Sequence, residues 1–527
     1  MTSPLILSAT GISIADVIDV ARNNRAVQLS DELVKNLQAT KAYINDNWLK
    51  DDAPLIYSLN TGVGAFKDQR VSVSDITQYQ RNMILSHATG IGPSLPAETV
   101  RAILLLRLNA FTADVSGISA ELATRFTQFL NAGLTPVVPA KGSVGASGDL
   151  APLAHLAGAI CGYEQAEIDY KGQRYPAPEA IKRAGLPADI PLFAKDASAL
   201  LNGSTVSLAI ATLAVFDAEN LVQHADLSLA LSLEAMRGEK DAFDPALHAT
   251  RPHKGQIICA ENILKLIGTS QRMTTKSRDI VFPSENRATG TKGPERVQDP
   301  YSMRCAPQVQ GAARDAIAYA KGIIAIEVNS ATDNPLILKE QTGRRAISGG
   351  HFHGQYVAQA MDFLAIALTD LASICERRVA RLIDPNMSFG LARNLASGIP
   401  GLNTGYATVQ CSLSALVMEN RTLSAPGSVD SIPGKGNAED HVSNSTWCAR
   451  KAMNVVENTR AVISGEILIA CQALSSVADI STKFPVADST QNILKTIRKS
   501  IPYRDQGDVW YANDMQNAEQ LLMQGAY

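Results

Sequence analysis

The chain has 527 residues, which exceeds the usual size of a single hydrophobic core, so we expect two or more domains or one elongated helical assembly. Hydrophobic residues make up 46% of the sequence and charged residues 19%, which is typical of a globular protein with a large core. The formal net charge of −3 gives no electrostatic footprint for nucleic acid or an anionic membrane, so the expected partner is a small molecule.

Cysteine usage and the N-terminal residues indicate the compartment. The seven cysteines are widely spaced and include no C-x-x-C pair, which argues against a zinc ribbon, a thioredoxin-like site and a secreted disulfide framework. The first twenty residues lack a basic segment ahead of their apolar residues and reach Asp16 early, unlike a signal peptide. The longest mostly apolar run, 206–216, is broken by Asp217 and is shorter than a bilayer span. We therefore expect a cytoplasmic protein without membrane contact.

Residues 1–204 are predicted to form an N-terminal domain in which short helical segments alternate with loops rich in glycine and proline. These connections are a loop at 59–64, a turn at 90–96, and residues 142–149, which we call the glycine-rich loop. Alternating residues around Gly172 predict a small β-hairpin between Glu164 and Tyr175.

From about residue 205 the pattern changes to long helices, which defines a second predicted domain, 205–527. Apolar residues recur at three- and four-residue intervals in segments 208–236, 308–328, 355–382, 408–423 and 448–474. Helices that are apolar on several sides need several neighbours, so we expect a bundle buried within an oligomer. The polar segment 282–296 is predicted to be a surface loop. The predicted fold class is mainly α, an elongated multi-helix bundle with a smaller mixed N-terminal region that carries the glycine-rich loop.

The glycine-rich loop, with Leu150 added, reads GSVGASGDL, and three interpretations are open for it. It could be a structural turn, because glycine allows positive φ and close approach of main-chain atoms. It could cradle a phosphate, although no Lys-Ser/Thr follows the last glycine and no G-x-G-x-x-G opens a helix. Thirdly, the Gly148 amide nitrogen could attack the Ala146 carbonyl. Loss of water from that ring and from Ser147 would then leave an electrophilic exocyclic methylene.

The longer segment GSVGASGDLAPLAH, from Gly142 to His155, resembles the signature of the aromatic amino acid ammonia-lyases and aminomutases. The resemblance implies that Ala146-Ser147-Gly148 matures autocatalytically into 4-methylidene-imidazol-5-one (MIO). It also implies a fumarase/aspartase-like helical architecture and a homotetramer whose active sites are each assembled from three chains. Matching segments continue along most of the chain, most clearly from Tyr57 to Leu474.

An ammonia elimination from an α-amino acid needs a carboxylate clamp, and the segment VQDPYSMRC offers Arg304, whose planar fork suits a carboxylate. A single arginine after a helix-breaking proline is more often a surface or salt-bridge residue. The segment resembles a second family motif, however, which implies that Arg304 and Gln298 bind substrate and that Tyr301 is catalytic. Leu200-Leu201-Asn202-Gly203 matches the family's L-N-G segment, which implies that Asn202 lies beside the MIO group and the substrate carboxylate.

The elimination also needs a base for the β-proton. Tyr57, in the segment YSLNTGVG, aligns with a loop tyrosine of the family, and the resemblance implies that it removes this proton. The family pattern is usually Y-G-x-[NT]-T-G-F-G, so this chain carries Ser58 for the first glycine and Val63 for the phenylalanine. Both substitutions bear on the flexibility of the loop and on its packing against substrate. An ordinary amphipathic loop tyrosine is the alternative.

The pair Ser86-His87 points to the bound ring. In the family these positions follow the substrate: Phe-Leu goes with phenylalanine, His-Leu with tyrosine and Ser-His with histidine. Glu439 stands where phenylalanine-type members carry glutamine, and a carboxylate can orient an imidazole and hold its N–H. Phe352 is implied to line the pocket. The resemblance thus implies a histidine-type ammonia-lyase that converts L-histidine to trans-urocanate and ammonia.

Three positions depart from the histidine-type pattern: His351 replaces an asparagine, Ala438 a glutamine, and Ala407 a methionine near the ring. Alanine at 407 frees pocket volume, so a lyase or 2,3-aminomutase for tyrosine, phenylalanine or a modified histidine stays open. Another alternative is a catalytically silent homologue in which Ser147 remains an ordinary serine. No metal is expected, because the pair His351 and His353 lacks further ligands at familiar spacing, and no nucleotide-binding fingerprint accompanies the helices.

Overall fold

The computed structural model describes residues 3–278, 297–434, 438–477 and 482–527. Most of the described chain is helical and its strands form small sheets, which confirms the predicted mainly α fold. The segment 282–296, predicted as a surface loop, lies outside the described residues.

The backbone packs as two compact units. The first unit comprises Met1–Phe216, Ala320–Asp362 and Pro426–Lys451, and the second comprises Asp217–Tyr319, Phe363–Ala425 and Ala452–Tyr527. The domain division predicted from the sequence, 1–204 and 205–527, stays a prediction. The packing groups two later segments of the chain, which that division assigned to the second domain, with the N-terminal residues.

The described strands all belong to the first unit. Their bounds are Leu5–Leu7, Val27–Leu29, Ile91–Ser94, Thr135–Pro136, Pro139–Lys141, Glu167–Tyr170, Gln173–Pro176, Leu336–Lys339 and Arg344–Ile347. Leu5–Leu7 pairs in parallel with Val27–Leu29, and Leu336–Lys339 pairs antiparallel with Arg344–Ile347. The predicted hairpin is confirmed, because Glu167–Tyr170 and Gln173–Pro176 pair antiparallel across Gly172, with Thr135–Pro136 as a third strand.

The turn predicted at residues 90–96 is wrong, because this segment contains the strand Ile91–Ser94. It pairs antiparallel with Pro139–Lys141, and all four of its residues are exposed. Glycine and proline are depleted in strands, so Gly92 and Pro93 hide this strand from prediction by sequence pattern. The pairing sets Ile91 opposite Lys141, directly before the glycine-rich loop.

The shorter helices of the first unit are Ile14–Arg22, Asp31–Trp48, Ile76–His87, Ala97–Ala110, Ala120–Ala132, Leu150–Ile160, Ala177–Arg183 and Asp196–Leu201. Local sequence fixes several of their ends. The Ser13 hydroxyl accepts from the Asp16 N–H, and the Asp16 carboxylate accepts from the Ser13 N–H, which is a capping box at the start of Ile14–Arg22. Gly133, at φ +72°, ends Ala120–Ala132.

Four long helices have segments in both units: Thr205–Met236, Ala306–Glu327, Gln355–Leu382 and Ser445–Ser476. The second unit also contains Pro245–Ala249, Lys254–Ile267, Thr275–Arg278, Tyr301–Arg304, Ala407–Leu423, Asp488–Ser500 and Tyr511–Met523. Every segment predicted as a long helix is confirmed, and Gln355–Leu382 has the predicted ends.

Within the described residues, two helices are long and apolar enough to cross a membrane by length and composition alone. They are Thr205–Met236 and Gln355–Leu382, whose most apolar stretches are 78% and 61% buried inside the structure. Burial of this kind is what the core helices of a globular protein also have.

Candidate active site

The glycine-rich loop connects the strand Pro139–Lys141 to the helix Leu150–Ile160. All three of its glycines adopt positive φ, including +68° at Gly145 and +78° at Gly148. Residues with a side chain rarely adopt positive φ, whereas glycine does so readily. A Cβ atom on Gly148 would lie 2.3 Å from the backbone of Gly203, so this position requires glycine on steric grounds as well.

Hydrogen bonds hold the carboxyl end of the loop. The Asn202 side-chain amide donates to the backbone oxygen of Ser147 at 2.7 Å, and the Asp149 N–H donates to the backbone oxygen of Gly203 at 2.8 Å. Within the described part of the chain, no hydrogen bond engages the amide nitrogen of Gly148. That nitrogen is therefore not committed to the fold, as the ring closure described above requires.

Asp149, which the sequence analysis did not single out, anchors the end of the loop. Its carboxylate is fully buried. It accepts from the Ser143 hydroxyl at 2.9 Å and from the N–H and hydroxyl of Ser207 at 2.8 and 3.0 Å. The Thr446 hydroxyl donates to the same carboxylate. Because a buried carboxylate is costly without such donors, these contacts bind the loop firmly to two neighbouring helices.

A cavity of about 260 Å³ opens beside the loop within the first unit. Six predicted site residues line it: Tyr57, His87, Ser147, Asn202, Phe352 and Glu439. The other lining residues are Ser58, Val63, Gly64, Met83, Leu150, Ser198, Leu201 and Ala438. A second cavity of about 230 Å³ shares Ser147 and Glu439 and is also lined by Ala146 and Gly148. Apolar walls with a few convergent polar groups are typical of a small-molecule site.

Glu439 contacts the serine of the loop directly, because its Oε1 accepts a hydrogen bond from the Ser147 hydroxyl. The chain that follows Glu439 is also built onto the loop. The Ser443 hydroxyl donates to the backbone oxygen of Gly145 at 2.9 Å. The predicted ring-binding carboxylate and the predicted electrophile therefore share one rigid framework.

His87 ends the helix Ile76–His87, and its ring turns back onto that helix. Nδ1 lies 2.8 Å from the backbone oxygen of Met83. Because a carbonyl oxygen only accepts, Nδ1 carries the proton, and Nε2 of the neutral ring is an acceptor. The Ser86 hydroxyl donates to the same backbone oxygen at 3.2 Å. The cavity thus contains two side chains, His87 and Glu439, that can accept hydrogen bonds from a bound ring.

Tyr57 lies in a turn, and its hydroxyl accepts a hydrogen bond from the Gly64 N–H at 3.3 Å. The next residue, Ser58, has φ +60°, the left-handed region, at the position where the family pattern carries glycine. The Ser58 side chain is buried, and its N–H donates to the Thr61 hydroxyl at 3.1 Å. Ser58 therefore adopts a backbone conformation that is strained for a residue with a side chain, which lowers the stability by about 1–2 kcal/mol.

Gln298, Tyr301 and Arg304 belong to the second unit and do not line the cavity. Tyr301 is 71% exposed, and the Arg304 guanidinium lies 4.7 Å from the centre of its ring. Arg304 Nε donates to the backbone oxygen of Asp299 at 2.8 Å. The cavity therefore contains the predicted ring-binding side chains without the predicted carboxylate clamp.

Two further positions named in the sequence analysis also lie outside the cavity lining. Ala407 begins the helix Ala407–Leu423 in the second unit, and His351 is exposed beside Phe352. The volume expected from alanine at 407 is therefore not part of this cavity.

Several lining residues were missed by the sequence analysis. Met83 precedes His87 by four residues on one helix, and Ser198 precedes Asn202 by four residues at the end of another. Residues four apart on a helix share a face, so this spacing was the available signal. Leu201 adjoins Asn202 in the L-N-G segment and could have been found in the same way.

Comparison with known proteins shows that the similarity to aromatic amino acid lyases extends over nearly the whole chain. Residues 12–499 match the family model described as aromatic amino acid lyase. Histidine ammonia-lyase of Alkaliphilus oremlandii is 40% identical over 521 residues, which cover 99% of this chain and 97% of the relative. Tyrosine aminomutase from Streptomyces globisporus superimposes with a TM-score of 0.89 at 31% identity, covering 99% and 97% of the two chains. Histidine ammonia-lyase from Trypanosoma cruzi gives 0.87 at 32% identity, covering 99% and 94%.

Proposed function

Because the chain belongs to the aromatic amino acid lyase family and is a carbon–nitrogen lyase, we propose that it eliminates ammonia from L-histidine to give trans-urocanate. The observation that carries the proposal is the hydrogen bond between Ser147 and Glu439 in a cavity that His87 also lines. It joins the serine of the electrophile motif to the carboxylate of the histidine-type pattern. A histidine ammonia-lyase that is 40% identical over nearly the full length supports the same substrate.

The electrophile is MIO, formed from residues 146–148, since the family uses this group. The residues present fit it. Gly148 has the positive φ of a compact turn, and Asn202 donates to the Ser147 oxygen, which would become the ring carbonyl. Once formed, the group supplies an electrophile that makes the departing amine a better leaving group.

His87 and Glu439 select the ring of the substrate. Both can accept hydrogen bonds, and a protonated imidazole offers two N–H donors, whereas a phenyl ring offers none. Because a site that can hydrogen-bond the N–H groups of a substrate discriminates against a ring without them, these two acceptors favour histidine. Met83 and Phe352 add apolar surface to the same cavity.

Tyr57 is the proposed acceptor of the β-proton. Its hydroxyl oxygen already accepts a hydrogen bond from the Gly64 N–H, and a donor at this atom stabilises negative charge on it. Tyr57 and Ser147 line the same cavity, so the base and the electrophile can act on one bound molecule.

Arg304 and Gln298 would bind the substrate carboxylate from another copy of the chain, and Tyr301 of that copy would be a catalytic residue. The exposure of Tyr301, at 71%, with the Arg304 guanidinium stacked on its ring, supports this arrangement. A planar guanidinium suits a carboxylate in two-point contact. The proposed assembly is a homotetramer in which subunits complete each other's sites.

An apolar groove in the second unit supports the same assembly. It has a volume of about 500 Å³ and is lined by residues of the helices Ala306–Glu327 and Gln355–Leu382. Tyr319, Phe363 and Ile366 in this groove are each nearly half exposed. Contiguous apolar surface of this kind marks protein–protein contacts.

We expect the enzyme to act in the cytoplasm. All seven cysteines lie in the described residues and none is in a disulfide. Free thiols suit a reducing compartment.

A second candidate function is that of a lyase or 2,3-aminomutase for tyrosine, phenylalanine or a modified histidine. It is favoured by the fold similarity to tyrosine aminomutase, with a TM-score of 0.89. Ala438, the small residue next to Glu439 where the histidine-type pattern has glutamine, lines the cavity and leaves room for a larger ring.

The test is incubation of the purified enzyme with L-histidine, L-tyrosine, L-phenylalanine and methylated histidines, with products identified by mass. Urocanate and ammonia from L-histidine are expected as the fastest reaction. A β-amino acid, or faster turnover of another substrate, would establish the second candidate instead. Intact mass is measured on the same sample. A chain that has not lost two waters would contradict every mechanism that uses MIO.

A further inference from the structure

Arg107 is a fully buried arginine behind the candidate site. It lies on the helix Ala97–Ala110 and its side chain has no exposed surface. Nη1 donates to the backbone oxygen of Asn202 at 2.8 Å and to the Thr205 hydroxyl at 3.1 Å. Among the described residues, Nε and Nη2 have no hydrogen-bond partner. Both of these hydrogen bonds thus go to one short segment of the chain, residues 202–205.

That segment lies between Arg107 and the glycine-rich loop. A Cβ atom on Gly203 would lie 2.3 Å from Arg107 Nη1, and a Cβ atom on Gly148 would lie 2.3 Å from the Gly203 backbone. Gly203 is therefore packed closely against the Arg107 guanidinium on one side and against Gly148 on the other. Arg107 therefore packs directly against the Asn202–Gly203 backbone and is hydrogen-bonded to it.

The guanidinium remains a cation in this position. Burial lowers the pKa of Arg107 to about 10, and the nearby carboxylate of Asp333 opposes the shift. Asp333 itself forms an ion pair with Lys195 at 2.9 Å. Burying a charge lowers the stability unless the charge is hydrogen-bonded or paired. An arginine that served packing alone would therefore destabilise the protein at this site.

We propose that Arg107 is a positioning residue for the maturation of the loop, because it fixes the Asn202–Gly203 backbone against which residues 146–148 must fold. The inference rests on the proposed function, since it concerns formation of the MIO group. Arg107 would act at a distance, through Asn202 and Gly203, and would touch neither the substrate nor the reacting atoms.

The maturation step sets the geometric demand. The Gly148 nitrogen forms a bond to the carbonyl carbon of Ala146. The Ala146 oxygen leaves as water with the hydrogens of the Gly148 and Ser147 amides. A second water takes the Ser147 hydroxyl group and the hydrogen of its Cα. The attacking nitrogen must approach a carbonyl carbon two residues earlier, and small displacements from such a geometry cost large factors in rate.

The test compares Arg107→Gln and Arg107→Lys with the wild type as full-length purified proteins. The mass of the proteolytic peptide that contains residues 142–150 gives the matured fraction, and thermal denaturation gives the stability. Arg101→Gln is the matched control. Arg101 is a buried arginine on the same helix, but its guanidinium donates to the backbone oxygens of Val20 and Leu130.

In folded Arg107→Gln protein the matured fraction after a fixed time should fall about tenfold. Arg107→Lys should recover part of this loss, because it restores a donor and the charge. The Arg101→Gln protein should lose stability and still mature fully. Full maturation of folded Arg107→Gln protein, or an equal loss in the Arg101→Gln control, would overturn the inference.

If the Arg107→Gln protein does not fold, Thr205→Val carries the test, because it removes one acceptor of Nη1 with little change in volume. Its maturation should be slower than that of the wild type in a time course after refolding, and an unchanged half-time would overturn the inference. A wild type that has not lost two waters would instead contradict the proposed function, so the two failures are distinguishable.

Discussion

The side-chain amide of Asn202 lies 2.7 Å from the backbone oxygen of Ser147 and donates a hydrogen bond to it. This contact joins the loop that carries the electrophile motif to the end of the helix Asp196–Leu201. It fixes the one atom of Ser147 that the proposed MIO ring would keep as a carbonyl. A single amide thus both orients the precursor and would polarise the product.

Asn202→Ala should lower kcat by about 10²–10³-fold, the usual effect of removing one preorganised donor from a developing charge. Steady-state kinetics give the loss, and the mass of the 142–150 peptide separates lost maturation from lost turnover. Asn109→Ala is the control, because Asn109 is also buried but donates to the backbone oxygen of Val328 at 2.8 Å. Activity within a few-fold of wild type in the Asn202 variant would remove this contact from the mechanism.

Glu439→Gln should lower kcat/KM for L-histidine by about 10²-fold, because a carboxylate acceptor for the ring N–H is replaced by an amide. The shape of the side chain is kept, so the loop should still mature, as peptide mass can establish. The neighbouring exposed residue provides the control, and Asp440→Asn should have little effect. Unchanged selectivity between L-histidine and L-phenylalanine would contradict the assignment of Glu439 to the ring.

Ser58→Gly should stabilise the protein by about 0.5–1 kcal/mol. Relief of the left-handed backbone is worth about 1–2 kcal/mol, and the greater freedom of glycine in the unfolded chain removes about 0.5–1 kcal/mol. Denaturant titration measures the net change. Ser72→Gly is the matched control at φ −64°, where glycine should destabilise. A loss of stability in Ser58→Gly would mean that the side chain contributes more than the strain costs.

The stability of the protein should fall on acidification partly through His155. Its Nε2 accepts a hydrogen bond from the Gly90 N–H at 3.0 Å, which requires a neutral ring, and burial lowers the pKa of His155 below 6.5. Since the folded state binds this proton less readily than the unfolded state, the contribution is present above pH 6.5 and is lost as the pH falls through the folded-state pKa.

Denaturation midpoints of wild type and His155→Gln between pH 8 and pH 5 measure that contribution. The wild type should lose more stability over this range than the variant. Replacement of His253, which is exposed, should leave the pH profile unchanged. Parallel pH profiles for wild type and His155→Gln would show that protonation of His155 does not contribute to the loss of stability in acid.

Glu466→Gln should destabilise the protein by about 3–5 kcal/mol, because it leaves the Arg378 guanidinium buried without its counter-charge. Both side chains are fully buried, and Glu466 also accepts from the hydroxyls of Ser228 and Ser232. Chemical denaturation gives the change. Glu179→Gln breaks an ion pair with Arg183 on the surface and should leave the midpoint unchanged. Similar losses in both variants would contradict the role of burial.

The long helices were predictable because their signal is local. Gln355–Leu382 combines sparse charge with apolar residues at helical spacing, and both of its ends matched the prediction. The strand Ile91–Ser94 was not predictable in this way, because its four residues are exposed and its partner is distant in sequence. Its existence depends on a tertiary pairing that leaves no alternation of apolar and polar residues.

In the candidate site, too, local motifs were predictable and contacts between residues distant in sequence were not. Tyr57, His87, Ser147, Asn202, Phe352 and Glu439 could be proposed from motifs and share one cavity. The anchoring function of Asp149 could not, because its partners Ser207 and Thr446 are far from it in sequence. The contacts of Arg107 are likewise not predictable from the sequence, where it is one of two arginines in a largely apolar helix.

The exposure of Tyr301 has a consequence for how the activity depends on protein concentration. The contacts of Asn202, Glu439 and Ser443 with the glycine-rich loop lie within one chain, so we expect the proposed maturation to be unimolecular and to proceed at any dilution. In the proposed assembly, turnover would draw on Tyr301 and Arg304 of a second copy, so we expect it to follow mass action. A sample of the proposed oligomer that is diluted until its subunits separate should therefore keep its covalent modification and lose its activity, and concentrating it again should restore catalysis without new chemistry.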